Sequence, residues 1–158
     1  MKKQSPQPLN PSPMQLALTV ARIAAQQGEV PVGAVIVDGT TKDVIARAHN
    51  LTETNNDPTA HAEMLVIREA CEKLGTPRLI NCDMYVTLEP CAMCAQAIAF
   101  ARIRRLMFGA YDPKGGAVEH GPRIFSQATC HHKPEVIAGV EETACGELLK
   151  GFFVSKRA

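Results

Sequence analysis

Four residues in two short stretches of the chain could act together in catalysis. His61 and Glu63 lie in the stretch TAHAE, and Cys91 and Cys94 lie in the stretch PCAMC. One imidazole and two thiolates are ligands that zinc prefers, and three protein ligands leave the fourth tetrahedral position for water. A C-x-x-C spacing at a helix start places both sulfurs on one side of the first turn. The pattern therefore predicts a catalytic zinc site with His61, Cys91 and Cys94 as ligands.

Glu63 follows His61 by two residues, so its carboxylate can lie near the bound water without being a ligand. A glutamate placed in this way can take a proton from water and return it to a leaving amine. We therefore predict that Glu63 is the catalytic acid and base.

Other interpretations of the cysteines stay open on local grounds. Cys91 and Cys94 could form a redox pair, since C-x-x-C at a helix start also suits thioredoxin-like chemistry. They could also complete a closed structural zinc site with two of Cys130, His131 and His132, or these three residues could bind a second metal. The sequence predicts the other cysteines to be small core residues: Cys71, Cys82 and Cys145.

Apolar periodicity predicts helices and strands in alternation. The predicted helices cover 14–27, 60–74, 91–101 and 141–153, and the predicted strands cover 32–37, 43–49, 84–87 and 105–109. The first two strands are expected to form a hairpin, and the last two to be parallel strands joined by the third helix. This order predicts an α/β domain with a mainly parallel sheet, in which both chemical stretches lie at helix starts.

The length of 158 residues suits one domain, which we place at residues 14–158. Residues 1–13 contain four prolines and are predicted to be a disordered tail. Residues 110–133 lack periodicity and are predicted to be a long surface loop with one helical turn. No apolar run approaches the length of a membrane helix, so we expect a cytoplasmic protein with no membrane partner.

The net charge is only +1, which gives the whole molecule no bulk attraction to nucleic acid. Residues 100–133, however, contain six basic and two acidic residues. This local excess predicts contacts to nucleic-acid phosphates, although a solvated basic face would have the same composition. The six basic residues are Arg102, Arg104, Arg105, Lys114, Arg123 and Lys133.

H-x-E followed by P-C-x-x-C is the signature of zinc-dependent nucleobase deaminases. The chain resembles, over residues 14–154, the bacterial tRNA-specific adenosine deaminases of the cytidine deaminase-like superfamily. The stretches that carry the resemblance are EVPVGA (29–34), Asn50, DPTAHAE (57–63), YVTLEPC (85–91), ARI (101–103) and FGA (108–110).

The resemblance implies a three-layer α/β/α sandwich with a central mixed, mainly parallel five-stranded sheet. It also implies a homodimer with one zinc ion per subunit, which converts the wobble adenosine of an arginine tRNA anticodon to inosine. The anticodon stem-loop would be the partner. Glu63 would shuttle protons beside a zinc ion held by His61, Cys91 and Cys94.

The resemblance further implies a set of substrate contacts. Asn50 would bind the purine or its sugar, the Ala62 amide would contact the base, and Pro31 and Val32 would wall the pocket. Two further pairs would contact the anticodon and its flanking bases: Asp112 with Lys114, and Phe152 with Phe153. On local grounds alone, Asn50 could instead be a turn residue and the phenylalanines ordinary core.

The zinc-site residues do not by themselves identify the substrate. A deaminase of a free nucleobase or nucleoside, such as guanine or cytosine, would share all four, and the stretch 116–133 departs from the commonest tRNA deaminase pattern. An inactive nucleic-acid-binding relative is a third class. It is disfavoured because His61, Glu63, Cys91 and Cys94 are all present.

Overall fold

A computed structural model describes residues 11–157 of the chain. It contains helices α1 (Pro13–Gln26), α2 (Ala62–Leu74), α3 (Ala92–Phe100) and α4 (Glu142–Arg157). The strands are β1 (Gly33–Asp38), β2 (Val44–His49), β3 (Cys82–Leu88), β4 (Arg105–Ala110) and β5 (Glu135–Ile137). Within the described range, no helix is long and apolar enough to cross a membrane.

Helix α1 begins where its sequence favours a helix start. The Ser12 hydroxyl accepts a hydrogen bond from the Gln15 amide at 3.2 Å, and the Gln15 side chain accepts one from the Ser12 amide at 2.9 Å. This reciprocal capping box satisfies two amides that have no partner inside the helix. Of the predicted tail, residues 1–10 lie outside the described residues, and Pro13 is already the first residue of α1.

The five strands form one sheet in the order β2-β1-β3-β4-β5. As predicted, β1 and β2 form an antiparallel hairpin, and β3 and β4 are parallel strands connected through α3. Strand β1 is antiparallel to both neighbours, whereas β3, β4 and β5 run parallel. The mixed five-stranded sheet is confirmed, but its parallel and antiparallel pairings are equal in number.

Helices cover both faces of the sheet, which confirms the α/β/α sandwich. Ala34 and Ile36 of β1 belong to the core cluster that includes residues of α2 and α3. Val35 and Val37 belong to the opposite cluster, with residues of α1 and α4. Successive side chains of a strand point to opposite faces, so an unbroken apolar strand supplies both cores.

In helix α2 the apolar residues that repeat at helical spacing, Met64, Ile67, Cys71 and Leu74, predict the buried face, but they are not the most buried residues. The buried residues are Ala62, Glu63, Val66 and Ala70, while Ile67 and Cys71 are partly buried and pack against the core. Small alanines allow the helix to approach the sheet closely, so they occupy the buried face although they are less apolar than methionine or leucine.

Two features of the C-terminal half differ from the sequence prediction or were missed by it. Residues 110–133 contain the expected single turn, at Ile124–Ser126, but Ala117, Val118 and Phe125 are buried in the core, so the segment is not simply a surface loop. Strand β5 was not located. Its three residues are half-buried or exposed and carry no periodic signal, because backbone pairing with β4 is what defines the strand.

One edge of the sheet brings the chemical stretches together. The carboxyl ends of β3 and β4 lie at this edge with the start of β1, since β1 runs in the opposite direction. Helices α2 and α3 begin just beyond the same edge, at His61 and Cys91. Ligand sites of α/β sheets lie outside the carboxyl ends of the strands, which is where these helix starts meet.

Candidate metal and catalytic site

The three predicted ligands meet as a compact cluster. The His61 Nδ1 atom lies 3.6 Å from the Cys91 sulfur and 3.5 Å from the Cys94 sulfur, and all three atoms are within 4.8 Å of one another. Typical zinc–sulfur and zinc–nitrogen bonds at a tetrahedral angle give a nitrogen-to-sulfur distance of about 3.6 Å. The donor types and their spacing therefore both fit a metal ion bound by three protein ligands.

Helix starts position two of these ligands. His61 and Cys91 are the N-cap residues of α2 and α3, and neither side chain makes a capping hydrogen bond, so both are free to bind an ion. Cys94 lies one turn further along α3 and is fully buried. The positive end of the helix dipole favours a thiolate at this place.

The thiols of the cluster differ strongly in acidity. Hydrogen bonds from Cys94 and His61 lower the pKa of Cys91 to about 4. Its hydrogen bond to Cys91, together with burial, raises the pKa of Cys94, while the hydrogen bond with Cys91 raises the pKa of His61. At neutral pH the cluster therefore already contains a thiolate, the form that binds metal.

The other predicted groupings of ligands do not assemble. In residues 11–157, the cluster above is the one group of three or more such ligands close enough to share an ion. The Cys130 thiol donates to the His132 carbonyl at 3.2 Å, and the His132 ring donates to the Ile103 carbonyl at 2.6 Å. A closed site or a second metal that uses these residues is therefore not supported. As predicted, Cys82 and Cys145 are buried, whereas Cys71 is only half-buried.

Glu63 lies beside the cluster in the first turn of α2. Its side chain is 4% exposed and lines the same cavity as His61 and Cys91. Burial raises the pKa of Glu63 to about 7. A carboxyl group with this pKa can both accept and donate a proton near neutral pH, as general acid–base catalysis requires.

A cavity of about 340 Å³ opens onto the cluster and is of a size that holds small ligands. Three of the predicted substrate contacts line this cavity: Val32, Asn50 and Asp112. Pro31 is buried but does not line it, whereas its neighbours Val30 and Val32 do; the Val32 amide donates to the Val30 carbonyl at 2.8 Å, in a tight turn around Pro31. The remaining lining residues were not predicted: Val30, Thr52, Leu88, Glu89 and Gly115.

Asn50 has a structural contact as well as a place in the cavity. Its Oδ1 atom accepts a hydrogen bond from the Ala62 amide at 2.9 Å. In this structure the Ala62 amide therefore donates to Asn50, and its contact with a base stays a prediction. Because a backbone N–H can only donate, the contact fixes the side-chain orientation and leaves the Asn50 NH₂ group for a ligand.

A second cavity of about 480 Å³ adjoins the first and shares Val30, Leu88 and Asp112 with it. Lys114 and Phe153 line this second cavity, together with Tyr111, Leu149 and Arg157. Phe152 does not line it. Its ring packs edge-on against Phe153 at 5.5 Å, and the Lys156 Nζ atom lies 5.4 Å from the ring centre.

Comparison with known proteins identifies the family. The MafB19-like deaminase family matches residues 11–157 of the chain. A tRNA-specific adenosine deaminase of Agrobacterium fabrum (strain C58) is 61% identical over 145 residues, which cover 91% of this chain and 93% of that one. The chain belongs to the tRNA-specific adenosine deaminase family.

Solved structures agree with membership of the tRNA-specific adenosine deaminase family. One structure, from a study of A-to-I editing by tRNA:A34 deaminases at the wobble position of transfer RNA, is 60% identical with a TM-score of 0.84. The match covers 87% of this chain and 98% of that one. A guanine deaminase from Bacillus subtilis is more distant, at 31% identity and a TM-score of 0.61, with 92% of each chain covered.

In this member of the tRNA-specific adenosine deaminase family, the predicted basic patch is not one surface. Arg104 donates two hydrogen bonds to the buried Asp83, at 2.9 and 2.8 Å, and Arg105 pairs with Glu135 at 2.8 Å. Both arginines lie at the start of β4, whereas the cavity lies beyond its end. Among the six basic residues of the segment, Lys114 is the one that lines a cavity next to the cluster.

Proposed function

We propose that the protein hydrolyses the wobble adenosine of a tRNA anticodon, that of an arginine tRNA, to inosine and ammonia. The observation that supports this most directly is the His61, Cys91 and Cys94 cluster beside the buried Glu63, in a chain that is 61% identical to a tRNA-specific adenosine deaminase. In this reaction the oxygen of water forms a bond to carbon 6 of the purine, and the bond from carbon 6 to the exocyclic nitrogen breaks.

We propose zinc as the metal, one ion per subunit, held by His61, Cys91 and Cys94. When bound, zinc acts as a Lewis acid and lowers the pKa of a water molecule at the position that the protein leaves open. Glu63 takes one proton from the attacking water and delivers it to nitrogen 1 of the purine. It then takes the second proton from the hydroxyl group formed at carbon 6 and delivers it to the exocyclic amine, which leaves as neutral ammonia. The exclusion of solvent around Glu63 keeps this proton within the cavity.

The cavity residues hold the base in place. The free NH₂ group of Asn50 donates to a purine nitrogen or a ribose oxygen, while Val32 and the unpredicted Val30 and Leu88 pack against the ring. Asp112 lies at the boundary of the two cavities. A base can enter such a pocket only when it is splayed out of its stack, as in an anticodon loop.

The second cavity supports a polymeric substrate over a free base. Lys114 and Arg157 offer positive charge for a phosphate, and Tyr111 and Phe153 offer aromatic surface for a neighbouring base. A deaminase of free guanine or cytosine needs none of these contacts. Phe152 would act indirectly, since its contact is with Phe153 and not with the cavity.

We also propose that the protein is a homodimer located in the cytoplasm, where its tRNA substrate is found. Phe100 at the end of α3 is 71% exposed in the single chain, and a large exposed aromatic side chain is typical of interface centres. Sedimentation equilibrium of the intact protein should give twice the mass of one chain. The Phe100→Glu variant should give the mass of a single chain. A monomeric wild-type protein at micromolar concentration would contradict this part of the proposal.

Two measurements test the proposal. Elemental analysis of purified protein should find one zinc ion per chain, and loss of the ion from the Cys94→Ser variant. Incubation with an arginine tRNA transcript that carries adenosine at the wobble position should convert that base to inosine, which is read as guanosine after reverse transcription. If zinc-loaded protein leaves the wobble adenosine of the transcript unchanged, the proposed substrate is ruled out.

A further inference from the structure

Two buried carboxylates near the cavity, Glu29 and Glu89, have no part in the reaction described above. We propose that they are positioning residues, each of which holds one of the two loops that wall the catalytic cavity by binding the backbone amides of that loop. We define the first wall as residues 51–57 and the second wall as residues 112–120. The inference about loop position stands on the structure, and only its effect on activity rests on the proposed function.

Glu89 binds the second wall through both carboxylate oxygens. Its Oε2 atom accepts from three consecutive backbone amides, those of Val118, Glu119 and His120, at 3.2, 3.0 and 3.2 Å. Its Oε1 atom accepts from the Asp112 amide at 3.1 Å and from the His120 ring at 2.8 Å. Five donors on one carboxylate fix both ends of the second wall to the end of β3.

The second wall is built for this close approach. A Cβ atom at Gly116 would lie 2.4 Å from the Glu89 carboxylate, nearer than real contacts allow, so glycine is required where the loop wraps around it. Glu89 is 2% exposed, which leaves no room for water to replace it as the acceptor. Asp112 and Gly115 of this loop line the catalytic cavity, so the position of the loop sets the shape of the site.

Glu29 holds the first wall in the same way. Its Oε1 atom accepts from the Glu53 amide at 3.0 Å and from the Thr52 hydroxyl at 3.4 Å, and its Oε2 atom accepts from the amide and hydroxyl of Thr54 at 2.8 and 2.6 Å. Glu29 is fully buried. Thr52 of the first wall lines the same catalytic cavity as Asp112 and Gly115 of the second wall.

Charge strengthens the contacts of Glu29 with the first wall. Hydrogen bonds from N–H groups to an ionised carboxylate are about twice as strong as those between neutral groups. Burial alone would raise the pKa of Glu29, but the hydrogen bonds from Thr54, Glu53 and Thr52 outweigh burial and hold the pKa below its usual value. The side chain is therefore charged at neutral pH although it is buried.

The two carboxylates serve as controls for each other in hydrogen exchange measured by mass spectrometry on the full-length, metal-loaded protein. Glutamine has the shape of glutamate, but its NH₂ group must face an N–H donor, so each substitution removes hydrogen bonds without leaving a cavity. We expect Glu89→Gln to accelerate exchange in residues 112–120 and not in 51–57, and Glu29→Gln to show the opposite pattern. If either variant accelerates exchange equally in both loops, the effect is global destabilisation. If exchange is unchanged, the carboxylates do not hold the loops in place. Either result overturns the proposal.

Milder variants test the inference if a glutamine variant does not fold. His120→Ala removes one of the five donors to Glu89 from a side chain that is partly exposed, and Thr54→Val removes one of the four donors to Glu29. Each should accelerate exchange in its own loop only. Acceleration in the other loop, or none in its own, would contradict the inference.

Activity provides a second readout on an anticodon stem-loop. Each glutamine variant should lower kcat/KM by about ten- to a hundredfold, because a displacement of about 1 Å at a reacting group has costs of this order, with the metal content unchanged. Wild-type protein that fails to deaminate the stem-loop would refute the proposed function, whereas the exchange pattern would still decide the role of the carboxylates. Variants that lose protection in one loop but keep full activity would show that loop position does not control the reaction.

Discussion

The carboxylate of Glu63 is buried beside three metal-ligand atoms and has a pKa of about 7, so it is ready to exchange protons at neutral pH. Replacing Glu63 with alanine should lower turnover by at least about 10²–10⁴-fold, the usual contribution of a general acid–base group. The zinc content should stay at the wild-type value, because Glu63 is not a ligand. Chromatography of the inosine formed checks the turnover, and elemental analysis checks the zinc content. Full activity of Glu63→Ala would contradict the mechanism.

Asn50 has a structural contact and a proposed binding role, which two substitutions can separate. Asn50→Ala leaves the buried Ala62 amide without its acceptor, which should lower the free energy of unfolding by about 1–3 kcal/mol. Asn50→Asp keeps an acceptor oxygen for this amide at the start of α2 but loses the NH₂ group. We expect both variants to raise KM for the stem-loop, and only the alanine variant to lose most of this stability in urea unfolding. Wild-type KM in the aspartate variant would contradict a role in binding.

Residue chemistry predicted the centre of the site better than its walls. The types and spacing of His61, Glu63, Cys91 and Cys94 are typical of a metal centre with a general base and of few other kinds of site. Val30, Thr52 and Glu89 line the cavity through loop and strand-end geometry, which their side-chain types do not reveal. The one available signal was that Val30 and Glu89 stand in the stretches that carry the family resemblance.

At the scale of elements, ionic contacts stabilise the edge of the sheet that lies opposite the cavity. The Asp83 carboxylate at the start of β3 accepts two hydrogen bonds from Arg104 and lies 3.5 Å from the Lys42 ammonium group. Burial tends to raise the pKa of Asp83, but the hydrogen bonds and charge of Arg104 outweigh it, so the pKa is lowered on folding.

A lowered carboxyl pKa gives a stability that depends on pH with a definite sign. The ionised Asp83 stabilises the fold above its unfolded pKa of about 4, and this contribution is lost as the pH falls through the lower folded value. The melting temperature of wild-type protein should therefore fall more steeply below about pH 4 than that of Asp83→Asn, which should be less stable at neutral pH. If the melting temperatures of the two proteins, measured by circular dichroism, fall in parallel with decreasing pH, the contribution of Asp83 is excluded.

The loop after β4 and the start of β4 should differ in their effect on RNA binding. Lys114 lines the second cavity, whereas Arg105 is paired with Glu135 at the far edge of the sheet. Lys114→Glu should weaken binding of the stem-loop and lower the slope of log affinity against log salt by about 0.7, the value for one single-strand phosphate contact. Arg105→Glu is the matched control and should change neither quantity; a larger effect of Arg105→Glu in fluorescence anisotropy would restore the basic patch that the sequence suggested.

Elements with strong periodicity or clear caps were predicted from the sequence, and those defined by tertiary contacts were not. Strand β1 is apolar up to its last residue, β3 contains the apolar run Met84–Val86, and Ser12 is a residue type that the N-cap of a helix prefers. The buried face of α2 could not be predicted, because its alanines are selected by closeness to the sheet and not by hydrophobicity. Strand β5 exists only through pairing with β4, which leaves no local pattern in its three residues.

On the scale of the whole molecule, the fold brings two distant stretches of chain to one sheet edge and leaves a pair of adjoining cavities there. In the proposed function the inner cavity holds the reacting base, and a free-base deaminase could have the same ligands. We propose that the outer cavity, with Lys114, Phe153 and Arg157, is the part of the molecule that distinguishes a nucleotide chain from a free base. Its residues come from the segment before β1, from β3, from the segment after β4 and from α4, so no single stretch of sequence could have predicted it.

The measurement that tests the central claim most directly is ammonia release by zinc-loaded protein, with an anticodon stem-loop that carries a wobble adenosine as substrate. Free adenosine, cytosine and guanine are assayed beside it at equal concentration. We predict ammonia and stoichiometric inosine from the stem-loop and none from the three free compounds, because only the stem-loop can occupy both cavities. Turnover of a free base or nucleoside with none from the stem-loop would contradict the account and identify a small-molecule deaminase with the same metal site.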